Sequence, residues 1–407
     1  MQTSSGHLTY CTNIHAGESW HDHFAALKEN IPSVKKQLSP DRPFGIGLRL
    51  SHLASVELGK KENLETFREW LDNSQCYVFV INGFPYGGFH HTKVKDQVHA
   101  PDWTTQDRAL YTIQLFNILS ALLPQGMEGG ISTSPLSYKY WHTEVEEEQS
   151  QVFETCTENV LKVVQDLISL RESTGQLMHL DVEPEPDGLL GNGPEFITWY
   201  VDRLIPQGIR YLKKHLGYDV QTAVTAIRDH IQICYDICHF AVGFEDHAAV
   251  ISKLAHHGIK IGRIQISAAL KGDIAPNPVD RGKVVSAFRL FNESTYLHQV
   301  VARQEDGSFK RYPDLPEALE DANNSLTREW RSHFHVPLFV EDYGALQSTQ
   351  EDIRRVLALQ RQKHLSQFLE VETYTWEVLP EKLRLPLKES IVRELQWVFD
   401  LLGKEEA

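Results

Sequence analysis

Short runs of apolar and β-branched residues recur along the chain, and longer segments of mixed polarity separate them. Eight of these runs predict β-strands, at residues 8–14, 44–50, 76–83, 129–135, 177–183, 231–237, 261–267 and 369–376. Several are almost continuously apolar, which is typical of strands that are covered on both faces of a parallel sheet. We therefore expect a mainly parallel sheet.

The segments between these runs predict helices. WHDHFAALKENIPSVKKQL, QDRALYTIQLFNILSALL and VFETCTENVLKVVQDLISLRE carry apolar residues at spacings of three and four. Strands and helices alternate without a change of composition or a Pro/Gly-rich linker that would divide the chain. This order predicts one α/β domain over residues 1–407, a (β/α)8 TIM barrel.

One region does not fit the alternation. Residues 271–332, which follow the seventh predicted strand, are polar and lead into HFHVPLFVEDYG. We predict an insertion of loop structure that projects over the barrel mouth. In a barrel of this kind the chemistry takes place at the carboxyl ends of the strands, so polar residues that close an apolar run are the candidate functional residues.

Composition and charge limit the class of protein. Of the 407 residues, 41% are apolar and 23% are charged, as in ordinary globular proteins, and the formal net charge of −15 argues against nucleic acid as a partner. Five cysteines in so long a chain favour a reduced, cytoplasmic protein. No apolar run reaches the roughly 18 residues of a membrane span, and the first residues lack a signal-peptide pattern, so we expect neither export nor stable membrane insertion.

The fifth predicted strand ends in the sequence LDVEPEPDG. Period-two alternation places Asp181 and Glu183 on one face of a buried strand, where an unpaired carboxylate is costly. We therefore predict that Glu183 is a metal ligand or an acid/base residue. Glu185 and Asp187, among two prolines and a glycine, are expected in a solvated turn.

The sixth and eighth predicted strands also carry carboxylates. Asp236 and His239 close the sixth strand three residues apart, and Glu372 lies among β-formers in VETYTWEVLP. A carboxylate oxygen and an imidazole at neighbouring positions of a turn suit a divalent cation. Three strand ends therefore offer ligands of one type.

Further polar residues are candidates for the same site. His333 and His335 alternate along an extended segment, so both side chains point the same way, although a chance pair remains an open alternative among 20 histidines. Oxygen ligands favour Mg or Mn, whereas histidines shift the preference towards Zn or Fe. The candidate substrate-binding residues near the strand ends are His15, Arg49, Asn82 and Lys139, and Gln265 closes the seventh strand.

The segment CYDICHFAVGFED is similar to the sixth strand of xylose isomerase-like barrels, a superfamily of sugar isomerases, ketose epimerases and type 2 apurinic endonucleases. The resemblance implies a metal held by Glu183, Asp236 and Glu372, with Gln265 where the family has histidine. It also implies that His239 faces the substrate. Glu183 and Glu372 would be the acid and base on opposite faces of an enediolate.

A second resemblance covers nearly the whole chain. LTYCTNIHAGESW, PFGIGLRLS, NGFPYGGFH, STSPLSYKYW, HFHVP and VETYTWEVLP together resemble the EboE-type metabolite traffic proteins. This resemblance implies a bacterial protein of an operon that moves or processes a precursor metabolite. Its partners would be that small-molecule metabolite and other proteins of the operon.

Three functions remain in competition at this point. The first is a metal-dependent isomerase or epimerase for a small sugar- or polyol-like metabolite, with Mn, Mg or Zn as cofactor. The second is a carrier that binds the metabolite without turnover, which Gln265 in place of a usual ligand favours. The third is a metal-dependent phosphodiesterase, which Arg49 and Asn82 disfavour because the apurinic endonucleases have histidines at those strand ends.

Overall fold

The computed structural model describes residues 1–90, 93–379, 381–384 and 386–403. The strands are β1 (Gln2–Thr3), β2 (Gly6–Tyr10), β3 (Phe44–Arg49), β4 (Cys76–Asn82), β5 (Gly129–Thr133), β6 (Met178–Val182), β7 (Ile231–Asp236), β8 (Ile261–Ile266), β9 (Leu270–Asp273), β10 (Val300–Gln304), β11 (Phe309–Tyr312), β12 (Thr327–Ser332), β13 (Gln347–Ser348) and β14 (Phe368–Val371). The eight predicted strands correspond to β2–β8 and β14, so all eight are confirmed.

Helices connect the strands of the large sheet. They are α1 (Trp20–Leu38), α2 (His52–Leu58), α3 (Lys61–Asn73), α4 (Gln106–Leu122), α5 (Glu146–Thr174), α6 (Gly193–Thr198), α7 (Ile205–Leu216), α8 (Val220–His230), α9 (Ile237–Val242), α10 (His247–His256), α11 (Pro278–Arg289), α12 (Leu315–Glu320), α13 (Gln350–Lys363) and α14 (Leu387–Gly403). Short 3₁₀ turns lie at Thr12–Ile14, Lys95–His99, Lys139–Trp141 and Glu381–Leu383, and a π-helical turn at Trp199–Leu204 joins α6 to α7. No helix in the described ranges is both long and apolar enough to cross a membrane.

The large sheet is a nearly closed barrel. Its nine strands follow the order β1-β2-β14-β8-β7-β6-β5-β4-β3, and every pair except the β1–β2 hairpin is parallel. Between β2 and β3 the hydroxyl of Thr9 donates to the carbonyl of Gly45 at 2.8 Å and accepts from the amide of Gly47 at 3.0 Å. Cys11 and Gly47 form a parallel bridge beside them. These contacts draw the sheet edges together, and the fold is the predicted α/β TIM barrel.

The barrel interior holds an ion network as well as apolar side chains. Arg263, on β8, donates to Asp181 on β6 at 3.1 Å and to Glu370 on β14 at 3.0 Å. All three side chains are fully buried. Glycine makes room for them, because a Cβ at Gly262 would lie 1.8 Å from an oxygen of Asp181 and one at Gly47 would lie 2.2 Å from an oxygen of Glu370.

The insertion differs from the prediction, because the region expected to be a loop carries regular secondary structure. Strands β11, β10, β12, β9 and β13 form a second, antiparallel sheet in that order, accompanied by α11 and α12. These strands are short and their burial is uneven; three of the four residues of β11 are exposed, whereas four of the five residues of β10 are buried. They therefore lack the apolar runs that revealed the barrel strands.

The five cysteines are all buried, and none of them forms a disulfide.

Candidate metal centre

Three buried carboxylates meet at the carboxyl end of the barrel. Glu183 directly follows β6, Asp236 is the last residue of β7, and Glu372 directly follows β14. Each offers an oxygen that lies within 4.8 Å of the oxygens offered by the other two. The parallel strands produce this convergence, since their carboxyl ends open on the same rim.

Asp236 is held through one of its two oxygens. Its Oδ1 accepts from the hydroxyl of Ser267 at 2.6 Å and, as the N-cap of α9, from the amide of His239 at 3.2 Å. Its Oδ2 is buried and has no hydrogen-bond partner. An unpartnered buried carboxylate oxygen is costly, so Oδ2 is placed for a ligand from outside the chain.

Glu372 is positioned by two amides. Asn13 and Asn82 donate to its Oε1 at 2.8 and 2.9 Å. Asn82, expected to bind substrate, thus contacts a candidate metal ligand directly. Sequence reasoning missed Asn13, although a polar amide near the end of the first apolar run was the available signal. Oε2 of Glu183 has no partner and resembles Oδ2 of Asp236 in this respect.

Three histidines face these carboxylates and point their Nε2 atoms at one another. The Nε2 atoms of His239 and His333 are 3.2 Å apart, as are those of His333 and His335. Oδ2 of Asp236 lies 3.9 Å from Nε2 of both His239 and His335. His239 belongs to the barrel, whereas the other two histidines follow β12 of the insertion.

The Nδ1 atom of each of these histidines faces an acceptor. The acceptors are the Pro184 carbonyl for His239 at 2.9 Å, the Gln299 side-chain oxygen for His333 at 2.7 Å, and the Glu372 carbonyl for His335 at 2.9 Å. Gln299 presents its oxygen to His333 because its amide nitrogen donates to the Pro186 carbonyl at 2.9 Å. A ring whose Nδ1–H donates in this way keeps a bare lone pair on Nε2.

Burial and crowding disfavour charge in the metal-free cluster. Burial, followed by the neighbouring carboxylates, raises the pKa of Glu183 and Glu372 well above the usual value. Burial also lowers the pKa of His239, lowers that of His335 to about 4, and lowers that of His333 well below the usual value, with the neighbouring imidazoles adding to the effect on His333. Burial therefore favours the neutral form of all three imidazoles, which is the form that binds a metal ion.

The sequence-based expectation for Glu185 and Asp187 is wrong, because both residues are buried, with 5% and 2% exposure. The insertion covers Glu185, to which Gln299 donates at 3.3 Å, and Lys139 forms an ion pair with Asp187. Burial raises the pKa of Glu185 to about 8. An unforeseen neighbour is His99, whose Nε2 is 3.8 Å from Oε2 of Glu185 and whose ring nitrogens both lack partners.

The other predicted substrate-binding residues already have partners in the protein. Arg49 pairs with Glu18 at 3.4 Å, and His15 contacts the hydroxyl of Tyr10 at 2.9 Å. Asn82 is one of the described residues that line the cavity at the cluster, whereas His15, Arg49 and Lys139 are not. Their role in substrate binding stays a prediction.

Gln265 lies beside Asp236 in the strand register and is fully buried. Its side-chain oxygen accepts from the thiol of Cys234 at 2.9 Å, and its amide nitrogen has no partner. The oxygen that could serve as a ligand is thus engaged within the barrel. Its predicted role as a metal ligand stays a prediction.

A narrow cavity of about 50 Å³ opens on the cluster. Aromatic side chains form much of its wall, namely Phe84, Phe89, Tyr296 and Tyr374, and the floor includes Glu183, Glu185, Glu372, His239, His333 and His335. A divalent cation fits the donors on this floor, because bare imidazole nitrogens and unpartnered carboxylate oxygens are combined in one buried space.

Three solved structures match this chain over nearly its full length. The zinc-bound IolI protein is 13% identical, with 98% of each chain covered and a TM-score of 0.47. A xylose isomerase domain protein from Planctomyces limnophilus is 14% identical, with 97% of this chain and 96% of that chain covered and a TM-score of 0.43. A xylose isomerase domain-containing protein from Salmonella typhimurium is 11% identical, with 99% and 100% covered and a TM-score of 0.45.

At these identities and TM-scores the comparisons carry no information about the reaction. No family model matches the sequence, and no curated protein sequence does so.

Proposed function

We propose that this protein is a metal-dependent isomerase or epimerase that acts on a small sugar- or polyol-like metabolite. The observation that carries the proposal is the convergence of Glu183, Asp236 and Glu372 at the barrel rim. Glu183 and Asp236 each keep an unpartnered oxygen there. These three residues would hold a divalent cation, with His333 and His335 beside them and Gln265 in the adjacent register position.

The cation, when bound, would polarise the carbonyl and the adjacent hydroxyl of the substrate. The chain supplies the proton transfers. Glu183 and Glu372 extend from separate strands, so one carboxylate can remove the proton α to the carbonyl while the other delivers a proton on the opposite face. Asn13 and Asn82 fix Glu372 through its Oε1, and aromatic side chains form much of the wall beside it.

The sequence motifs extend this proposal to a biological setting. They resemble those of the EboE-type metabolite traffic proteins, so we place the reaction in a bacterial pathway that processes and moves a precursor metabolite. The protein would work in the cytoplasm with a small-molecule metabolite and with other proteins of its operon. Among the metals, Mn, Mg and Zn are all compatible with the carboxylate and imidazole donors.

Solvent deuterium exchange tests the reaction without knowledge of the product. Metal-loaded protein is incubated in D₂O with a panel of aldoses, ketoses and inositol-like polyol ketones, and deuterium at the carbon α to the carbonyl is followed by NMR. We expect incorporation with at least one compound, and a loss of about 100-fold or more in Glu183→Gln, which lacks the base.

Glu245→Gln is the matched control, because Glu245 is a partly buried carboxylate outside the cluster that accepts from the amide of Gly193 at 3.1 Å. It should exchange deuterium at the wild-type rate. Absence of exchange across the panel in fully metal-loaded wild-type protein would reject the isomerase.

A carrier is the second candidate, and one observation favours it. The side-chain oxygen of Gln265, which stands where a metal ligand is expected, is occupied by the thiol of Cys234. A carrier would be thermally stabilised by its metabolite while α-deuterium incorporation stayed at background.

A further inference from the structure

Asn13 lines the cavity, and only one of its two side-chain heteroatoms has a partner in the protein. The residue is the middle one of the 3₁₀ turn Thr12–Ile14, which follows β2, and it is 2% exposed. Its Nδ2 donates to Oε1 of Glu372 at 2.8 Å, whereas its Oδ1 is buried and has no hydrogen-bond partner. A buried amide oxygen without a partner costs stability, so its retention needs an explanation.

The neighbours of Asn13 determine which way its amide group points. The backbone amide of Phe84 donates to Oδ1 of Asn82 at 3.2 Å, so the nitrogen of Asn82 is the atom that faces Glu372, at 2.9 Å. Oε1 of Glu372 is therefore an accepting oxygen, and the atom of Asn13 that meets it must also be a nitrogen. Oδ1 of Asn13 consequently points away from Glu372.

The backbone of Asn13 is held as well as its side chain. Nε2 of His90, in the loop after β4, lies 2.5 Å from the Asn13 carbonyl oxygen, so His90 carries its proton on Nε2 and donates it there. Nδ1 of His90 then accepts from the hydroxyl of Tyr296, in the insertion, at 3.1 Å. Because Asn13 is fixed at its carbonyl and at its Nδ2, its Oδ1 is positioned before any ligand binds.

The unpartnered atoms of the cavity wall share one chemical property. Among the described lining residues, three side-chain atoms are buried without a partner, and all are oxygens: Oδ1 of Asn13 and Oε2 of Glu183 and of Glu185. A proton or a metal ion can neutralise a carboxylate, whereas an amide oxygen is an acceptor at every pH. Oδ1 of Asn13 therefore requires a hydrogen-bond donor from the ligand, and a hydroxyl group is such a donor.

We propose that Asn13 is a substrate-binding residue whose Oδ1 accepts a hydrogen bond from a hydroxyl group of the substrate. The two heteroatoms of one amide are about 2.3 Å apart, and Nδ2 lies 2.8 Å from Oε1 of Glu372. Oδ1 is therefore within about 5 Å of that oxygen, so the hydroxyl is carried by the carbon that exchanges its proton or by the next carbon. This inference rests on the proposed isomerase function and restricts its substrates to compounds in which that hydroxyl is free.

Matched ligands test the contact. Metal-loaded full-length protein is titrated by calorimetry with D-fructose and the other ketoses of the panel, and with analogues in which one hydroxyl is replaced by hydrogen or by fluorine. Fluorine retains the approximate size of the hydroxyl but cannot donate a hydrogen bond. We expect both replacements at one position to weaken binding and to slow α-deuterium exchange at least about tenfold, because each leaves Oδ1 unpaired.

Asn13→Leu should remove this preference, so that the hydroxylated ligand and its deoxy analogue differ less than about threefold in affinity. Asn82→Leu is the matched comparison, because Asn82 donates to the same oxygen of Glu372 but its Oδ1 is already occupied by the amide of Phe84. This variant should slow the exchange of both compounds and keep the preference. Asn13→Ala provides the same measurement if the leucine variant does not fold.

Asn30→Leu is the control for the loss of a buried asparagine outside the site. Asn30 lies on α1, and its Nδ2 donates to the Ala26 carbonyl at 2.8 Å within the same helix. The substitution should leave both the exchange rate and the preference for the hydroxylated ligand at their wild-type values.

The outcomes distinguish this contact from the proposed reaction. Binding that depends on one hydroxyl in wild type but not in Asn13→Leu, without any α-deuterium incorporation, would reject the isomerase and support the Asn13 contact. An unchanged preference in Asn13→Leu, or an equal loss of preference in Asn82→Leu, would overturn the contact even if exchange were rapid. Failure of every ketose of the panel to bind, or binding that no single hydroxyl affects, would also overturn it.

Discussion

Buried carboxylates lie at two levels of this barrel, and the chain compensates their negative charge differently at each level. In the interior, Asp181 and Glu370 bind the guanidinium of Arg263 at 3.1 and 3.0 Å. At the rim, Glu183 and Asp236 keep unpartnered oxygens, and the neighbours that approach them are neutral imidazoles. The interior network carries its own counter-ion, whereas the rim cluster does not.

This difference separates a structural role from a functional one. A buried carboxylate with a fixed guanidinium partner already has a counter-ion and needs no external cation, even at Glu370, whose Oε1 has no hydrogen-bond partner. A buried carboxylate with a free oxygen beside bare imidazole nitrogens costs stability until a cation arrives. The two levels are adjacent along the chain. The step from a stabilising network to a binding site takes two residues, from Asp181 on β6 to Glu183 just after it, and from Glu370 on β14 to Glu372 just after it.

The largest expected effect comes from removal of the interior counter-ion. Arg263→Met keeps the approximate volume and removes the guanidinium from two buried carboxylates, of which Asp181 keeps its contact with Nδ1 of His179 at 2.5 Å. We expect the free energy of unfolding to fall by about 3–5 kcal/mol, as when one partner of a buried ion pair is removed. Urea denaturation of metal-free wild-type and variant protein measures this loss.

The rim variant Glu183→Gln provides the contrast in the same experiment. Without metal, the substitution removes one of several mutually repelling carboxylates, so we expect stability within about 1 kcal/mol of wild type, or slightly above it. Equal losses of unfolding free energy in the two variants would show that the interior and rim carboxylates both stabilise the fold and do not differ in role.

A smaller effect is expected from the glycines that make room for the interior network. In Gly262→Ala the new Cβ would lie 1.8 Å from an oxygen of Asp181, so the ion pair with Arg263 must shift. We expect a loss of about 1–3 kcal/mol, as for other overpacked cores, measured by thermal unfolding. Gly282→Ala in α11, where no atom lies within 4 Å of the new Cβ, should instead stabilise by up to about 1 kcal/mol. A Gly262→Ala protein as stable as wild type would show that the barrel interior accommodates the added methyl group without disturbing the ion pair.

The sequence predicted the barrel strands well because burial on both faces leaves a strong local signal. All residues of β6, β7 and β8 are buried, and each of these strands is an apolar run in the sequence. The insertion sheet left no such signal. Its order is set by pairings between distant segments, such as Leu270 with Ser332 and with Ser348, which local periodicity does not encode.

The candidate site was predicted in part, for a related reason. Glu183, Asp236 and Glu372 were identified because each closes an apolar strand, and the barrel topology brings strand ends together. His99 and Glu185 were missed as neighbours, since their contact depends on how a loop folds beneath the insertion. Asn13 was missed because its role is to donate to Glu372, a partner 359 residues away.

A third buried carboxylate, Glu394, extends the comparison. Among the described residues, no charged group contributes to its pKa shift, and it belongs to none of the groups that could hold a metal ion. Its Oε1 accepts from the amide of Leu338 at 3.1 Å and from the hydroxyl of Thr373 at 2.8 Å. Burial raises its pKa from the usual 4.5 to about 8, so at neutral pH this carboxyl holds a proton. Protonation is therefore a third way in which this chain tolerates a buried acid.

The sign of the pH effect follows from that shift. The stability that protonated Glu394 contributes is fully present below pH 4.5 and is lost as the pH rises through about 8. Over that window the group should lower the free energy of unfolding by up to about 1.4 kcal/mol per pH unit. Glu394→Gln, which is neutral at every pH, should lack this slope, so it should match wild type near pH 5 and exceed it increasingly up to pH 8. Parallel curves for the two proteins, from urea titrations across this range, would show that Glu394 is ionised in the folded state and that the interior tolerates a carboxylate with no cation at all.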